Sequence, residues 1–152
     1  HEPAAIPRFL EALERDHADV ISGSRYLDTK SLVDAPPPDR RLINHLLTEE
    51  INRTLELELT DAFCGFKAYR VSAVVGLDLD IDGYDFPMQF WVQAVANGLR
   101  VDELPVRLIY NDPTRSFGGP LDDAENRLAV YRRTFEREMT KCADRIGEVV
   151  SG

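Results

Sequence analysis

The stretch from Asp39 to Leu55 constrains the fold of this chain more than any other. Apolar residues at Leu42, Ile43, Leu46, Leu47, Ile51 and Leu55 recur there at the spacing of one helical face. Three successive prolines, Pro36 to Pro38, break the chain before it, and Asp39 is placed to cap the helix. A long amphipathic helix needs an apolar surface to lie on, and short strands supply it. Asp19-Val-Ile-Ser-Gly-Ser-Arg25 is a β-branched run ending in small residues, as where a buried strand passes into a loop near Ser24. Phe66 to Arg70 reads as a second strand. Val101 to Ile109 reads as a third, with Leu104, Val106 and Leu108 on one side and Glu103, Pro105 and Arg107 on the other; Pro105 points to an edge or a bulge.

Further helices separate these strands. Pro3 to His17 carries Ile6, Phe9, Leu10 and Leu13 on one face. A short helical turn spans Val71 to Leu77, and an acidic loop follows from Asp78 to Gly83. Phe86 to Ala96 is helical and ends at the Asn97-Gly98 pair. Asp122 with Glu125 resembles a capping box opening a last helix through Leu128, Tyr131, Phe135 and Met139. Helices alternating with short apolar strands predict an α/β layer structure, a short mixed sheet flanked by helices. A chain of 152 residues, 43% hydrophobic, fits a single domain spanning 1–152.

A formal charge of −9 repels polyanions, so nucleic acid is not an expected partner and an anionic ligand needs a local basic pocket. No window reaches the roughly 18 apolar residues of a membrane span. The only two cysteines, Cys64 and Cys142, lack metal-ligand spacing and fit a reducing compartment, with one bridge between them left open. The expected location is cytoplasmic.

Thr60-Asp-Ala-Phe-Cys-Gly-Phe-Lys-Ala-Tyr-Arg70 concentrates an acid, a glycine, aromatics and cations. Asp61 at a tight turn is open between a carboxylate that orients or deprotonates a hydroxyl and one that caps the turn. Gly65 would let the chain approach a ligand or a strand, Phe66 reads as core, and Lys67 and Arg70 read as facing water. Arg25, at a strand end among small residues, is open between a phosphate ligand and a surface cation at a turn; Arg40 and Arg41 stand in the first turn of a helix, which disfavours cations, so one is expected at an anion and the other in solvent. Arg115 and Ser116 stand beside Gly118 and Gly119 in a loop that is open between folding over a phosphate and simply connecting two elements. Arg127, Arg132, Arg133 and Arg137 are open between a membrane-facing and a solvated face. The three histidines have no ligand spacing, so no metal is assigned to them.

In order, Gly-Ser-Arg25, Arg40-Arg41-Leu-Ile, Asp61-x-x-Cys-Gly-Phe-Lys-x-Tyr-Arg70, Gly83-Tyr-x-Phe86, Glu103-Leu-Pro-Val106 and Arg115-Ser-x-Gly118 resemble the rear part of a family 2 glycosyltransferase of GT-A fold. The pattern is similar to dolichyl- or polyprenyl-phosphate sugar synthases from residue 1 to about Tyr131. The resemblance implies a partial, Rossmann-like GT-A domain, its acceptor side, with the nucleotide-binding half upstream. It implies inverting transfer of a sugar from a nucleotide sugar to a polyprenyl phosphate or a hydroxyl. It also implies a divalent cation, Mg or Mn, whose Asp-x-Asp ligands precede His1, so that the chain alone is expected to be inactive. By the same resemblance Arg25 and one of Arg40 or Arg41 contact phosphates, and Asp61 faces the acceptor, as general base if that acceptor is an alcohol. Gly65 and Phe66 shape the acceptor floor, and Arg115 with Ser116 closes on phosphates. Gln89 stands near where many relatives carry a carboxylate, and Gly118-Gly119 replaces their Ser-Lys. Peripheral contact with the inner membrane face and homo-oligomers are further expectations. The alternative function is a non-catalytic, glycosyltransferase-like binding module.

Overall fold

The computed structural model describes residues 3–15, 17–28, 38–107 and 116–150. Among them six α-helices surround a three-stranded sheet: α1 (Ile6–Arg15), β1 (Val20–Ser24), α2 (Pro38–Leu55), β2 (Lys67–Tyr69), α3 (Val71–Val74), α4 (Phe86–Ala96), β3 (Val101–Pro105), α5 (Ala124–Lys141) and α6 (Ala143–Val150). The α/β expectation holds. The sheet order is β2-β1-β3, with β1 antiparallel to β2 and parallel to β3, so the sheet is mixed. β3 lies at an edge, which accommodates Pro105.

β1 is buried along its whole length because helices cover both faces of the sheet. Successive side chains of a strand point to opposite faces, and the core divides accordingly. Val20 joins the larger cluster, built from α2, α4, α5 and α6 around Trp91, Phe90 and Leu47. Ile21 joins the smaller one, built from Phe9 and Leu13 of α1 with Cys64 and Val106. Phe66 packs edge-on against Phe9, with ring centres 4.8 Å apart.

The helical periodicities locate the helices but misassign some faces. In α2 the buried residues are Ile43, Asn44, Leu47, Thr48, Ile51 and Leu55, whereas Leu42 and Leu46 are exposed. Two polar side chains displace two leucines because the turn at Asp61 needs their hydrogen bonds. In α1 likewise Phe9, Ala12 and Leu13 are buried and Ile6 and Leu10 are exposed. α5 is capped by Asp123, which accepts from Asn126 N–H at 2.8 Å, rather than by Asp122. It stops at Cys142, and α6 follows it, an element the sequence reading did not separate. Gly98, with φ of 65°, follows α4 in the left-handed conformation expected of a helix end.

Lys67 and Arg70 do not face water as expected. Lys67 Nζ lies 5.1 Å from the Trp91 ring centre and donates to the Cys64 carbonyl; burial pushes its pKa down. Arg70 donates to the carbonyls of Ala18 and Leu13, tying β2 to the end of α1. Cys64 and Cys142 are both buried free thiols.

The close-approach glycine is Gly23, not Gly65. A Cβ on Gly65 would meet nothing within 4 Å, but one on Gly23 would stand 2.8 Å from the Phe66 carbonyl oxygen and 3.1 Å from both Cys64 Sγ and Val106 Cγ1. Gly23 N–H donates to that same carbonyl at 2.7 Å, so backbone there cannot retreat without losing the bond. Gly23→Ala is expected to lower unfolding free energy by about 1–3 kcal/mol in a denaturant titration, whereas Gly65→Ala leaves the midpoint nearly unchanged.

Candidate active site

The carboxyl end of β1 delivers Ser24 and Arg25 to a place where α2 and the segment after it converge. Asp61 is the centre of that place and is fully buried. Its Oδ2 accepts from Arg25 Nε at 2.6 Å and Arg25 N–H at 3.1 Å. Its Oδ1 accepts from Arg25 Nη2 at 2.8 Å, Asn44 Nδ2 at 2.9 Å and Phe63 N–H at 3.3 Å. Asn44 is itself oriented, since Thr48 Oγ1 donates to its Oδ1 at 3.1 Å and accepts from Ala62 N–H at 3.2 Å.

Five donors on one carboxylate decide its protonation. Burial alone would push the Asp61 carboxyl up, but the Arg25 hydrogen bonds and charge, with Asn44, outweigh it and hold the pKa below the ordinary value. Burial likewise disfavours the Arg25 guanidinium, and the carboxylate more than restores it, so Arg25 titrates higher than usual. Asp61 is therefore an ionised carboxylate with its oxygens committed to protein donors. That is poor equipment for the base expected for an alcohol acceptor, and good equipment for holding an arginine.

Glu103, on β3, closes the turn from the other side. It accepts from Thr60 N–H at 2.8 Å, Thr60 Oγ1 at 2.6 Å and Asp61 N–H at 3.1 Å. Here burial dominates and the carboxyl titrates above its usual range. The strand pattern had put Glu103 on the polar side of β3; its half-buried position reflects these bonds.

Beside this network lies a cavity of about 500 Å³ lined by Tyr26, Arg41, Leu42, Asn44, His45 and Thr60. Arg41 has no carboxylate partner among the described residues and sits in the first turn of α2. Of the two arginines expected at a phosphate, Arg41 is the one that faces the cavity. The Arg40 guanidinium instead lies 4.6 Å from the centre of the Phe117 ring, whose other guanidinium neighbour is Arg127 at 4.5 Å. Arg127 is buried on α5, pairs with Asp39 at 2.9 Å and donates to the Leu121 carbonyl at 2.8 Å. It belongs neither to a solvated nor to a membrane-facing stripe.

The remaining expected residues scatter. Arg115 lies outside the described residues. Ser116 Oγ donates to Asp122 and accepts from Gly118 N–H at 2.9 Å, so its hydroxyl is spent inside its own loop. Gln89 is fully buried: its Oε1 accepts from Asp80 and Ile81 N–H, and its Nε2 donates to Asp80 and Glu138. No polar atom is left for a ligand. Gly65 is exposed, and Phe66 serves the smaller core. Asn44, Thr48, Thr60, Tyr26 and His45 were missed by the sequence reading. The one signal for Asn44 and Thr48 was their i, i+4 spacing on a helix face otherwise apolar.

The sequence is similar to those of curated proteins. An undecaprenyl-phosphate mannosyltransferase of Micrococcus luteus is 30% identical over 129 residues, 82% of this chain and 52% of that protein. A polyprenol monophosphomannose synthase of Mycolicibacterium smegmatis is 31% identical over 110 residues, 70% of this chain and 40% of that protein. The chain is homologous to polyprenyl-phosphate mannosyltransferases. The likeness its motifs carry to polyprenyl-phosphate sugar synthases is thereby borne out. No family model matches it. The chain spans about half the length of the curated mannosyltransferase relatives it matches. No helix among its described residues is long and apolar enough to cross a membrane.

In this mannosyltransferase homologue the Arg25–Asp61 pair sets an acid-side stability limit. A carboxyl whose pKa falls on folding contributes stability that is present above its unfolded value and is lost as pH drops through the folded one. Asp61→Asn is expected to destabilise by about 3 kcal/mol near neutral pH, because it leaves a part-buried guanidinium without its counter-ion. The gap between variant and unaltered protein should begin to narrow as pH falls below about 4, the ordinary carboxylate value, and close once pH passes the lower folded value. Denaturant titrations at a series of pH values measure it; a gap independent of pH would contradict the ionised pair.

Proposed function

We propose that this chain is the acceptor side of a family 2 glycosyltransferase of GT-A fold, which moves a mannose-type sugar with inversion from a nucleotide-diphosphate donor to the phosphate of a polyprenyl phosphate. The observation that carries the reading is the division of labour between two arginines. Arg25 is locked to a buried carboxylate, and Arg41, lacking a carboxylate partner, lines the adjoining cavity.

A phosphate acceptor explains why Asp61 need not be free. A phosphate monoester is anionic near neutral pH, with a second pKa of about 6, so its oxygen attacks without a base removing a proton. What such an acceptor requires is placement. Arg41 would take the phosphate, aided by the N-terminal turn of α2, and Asp61 would keep Arg25 extended beside it. Leu42, apolar and exposed on the same wall, suits the first isoprenoid units. Asp61 is accordingly a positioning residue here.

The resemblance also implies a divalent cation, and the described residues do not fit one. No group of three His, Cys, Asp or Glu stands together among them, and Asp61 and Glu103 are both occupied by protein donors. Its ligands are proposed to belong to the rest of the transferase, where the donor diphosphate would also bind.

Steady-state assays of the full-length protein with nucleotide-activated mannose and a short polyprenyl phosphate test the proposal. Arg41→Ala should raise KM for the polyprenyl phosphate about tenfold or more, the loss of one charge-assisted contact, with KM for the donor little changed. Transfer to a free hydroxyl acceptor but never to polyprenyl phosphate would overturn it.

A further inference from the structure

Thr60 lines the cavity, but what its hydroxyl can offer a ligand is decided by the residues behind it. Ser24 Oγ accepts from the backbone N–H groups of Tyr26 and Leu27, both at 3.1 Å. A hydroxyl has two lone pairs and one proton, so with both pairs taken the Ser24 proton must go to Thr60 Oγ1, 2.6 Å away. Thr60 Oγ1 is then an acceptor in that bond, and its own proton goes to Glu103 Oε2 at 2.6 Å. The N–H groups of Thr60 and Asp61 point at the same carboxylate and hold it in place. One lone pair is left on Thr60 Oγ1.

We propose that Glu103, by fixing the direction of protons along Ser24–Thr60–Glu103, presents Thr60 to the cavity as a hydrogen-bond acceptor only, so that this point of the site reads a hydroxyl of the transferred sugar and rejects phosphate oxygens. Phosphate oxygens are themselves acceptors and would meet the Thr60 lone pair head-on; Arg41, elsewhere on the cavity wall, is their place. A sugar hydroxyl carries the proton the arrangement lacks. Thr60 is thus a specificity-determining residue, and Glu103 a positioning residue that acts through it. The inference rests on the sugar-transfer reading above and extends it to the part of the substrate that Thr60 meets.

The test compares kcat/KM of the full-length protein for nucleotide-activated mannose and its monodeoxy analogues, with a short polyprenyl phosphate as acceptor. One analogue, lacking the hydroxyl that Thr60 reads, should be about tenfold poorer than the parent sugar in the unaltered protein. In Thr60→Val that penalty should vanish, because the parent sugar falls to the analogue's level while the analogue is unchanged. Thr60→Ser should keep the penalty. Glu103→Ala should shrink it, since the Thr60 proton then has no carboxylate to go to and can turn toward the cavity. A merely structural role for either residue would lower all sugars alike and leave every ratio intact. Equal ratios for all analogues in unaltered protein and Thr60→Val would overturn the inference. Absence of any sugar transfer by the unaltered protein would overturn the broader reading instead, so the two failures are distinguishable.

Discussion

The buried carboxylate of Asp61 is what the rest of the site hangs on. Its donors come from three separate parts of the chain: the end of β1 through Arg25, the inner face of α2 through Asn44, and its own turn through Phe63. An ionised group can remain in the interior only while those partners stay in place, so the charge enforces the meeting of strand, helix and turn. Trp91 reinforces it from below, its Nε1 donating to the Ala62 carbonyl at 2.9 Å, which fixes the segment after Asp61 onto α4.

Two carboxylates flank one turn and titrate in opposite directions. Asp61 is held below its ordinary range by an arginine, and Glu103 is raised by burial that its neutral donors only partly offset. The contrast follows from partners alone: one acid faces a cation, the other only hydroxyl and amide groups. It also separates their duties, since Asp61 orients a guanidinium and Glu103 orients a hydroxyl.

How much of this was legible depended on whether a signal was periodic or convergent. The strands around Ile21, Lys67 and Leu104 and the helices α2, α4 and α5 follow from hydrophobic spacing, and Pro105 announced an edge. Faces were read less well, because hydropathy assigns leucines inward and cannot know that Asn44 and Thr48 are needed at a buried acid. The special glycine was misplaced for a related reason: close approach at Gly23 is imposed by Phe66, Cys64 and Val106, which no local pattern links to it. Arg40 and Arg41 are neighbours in sequence with the same chemistry, and only the rotation of about 100° per residue along a helix sends one to a cavity and the other to an aromatic ring. The spent amide of Gln89 and hydroxyl of Ser116 are equally invisible until their partners are seen.

Phe117 has a consequence for how this domain tolerates change. Held between Arg40 and Arg127, with Tyr84 edge-on at 4.9 Å, the ring is a washer between the first turn of α2 and α5. Arg127 reaches the same turn directly at Asp39, across 88 positions of sequence. The seat of α2, and with it the angle at which Arg41 meets the cavity, is therefore inherited from the far end of the domain. Exchange of α5 between relatives would carry the cavity's geometry with it, although that helix supplies none of the cavity's lining.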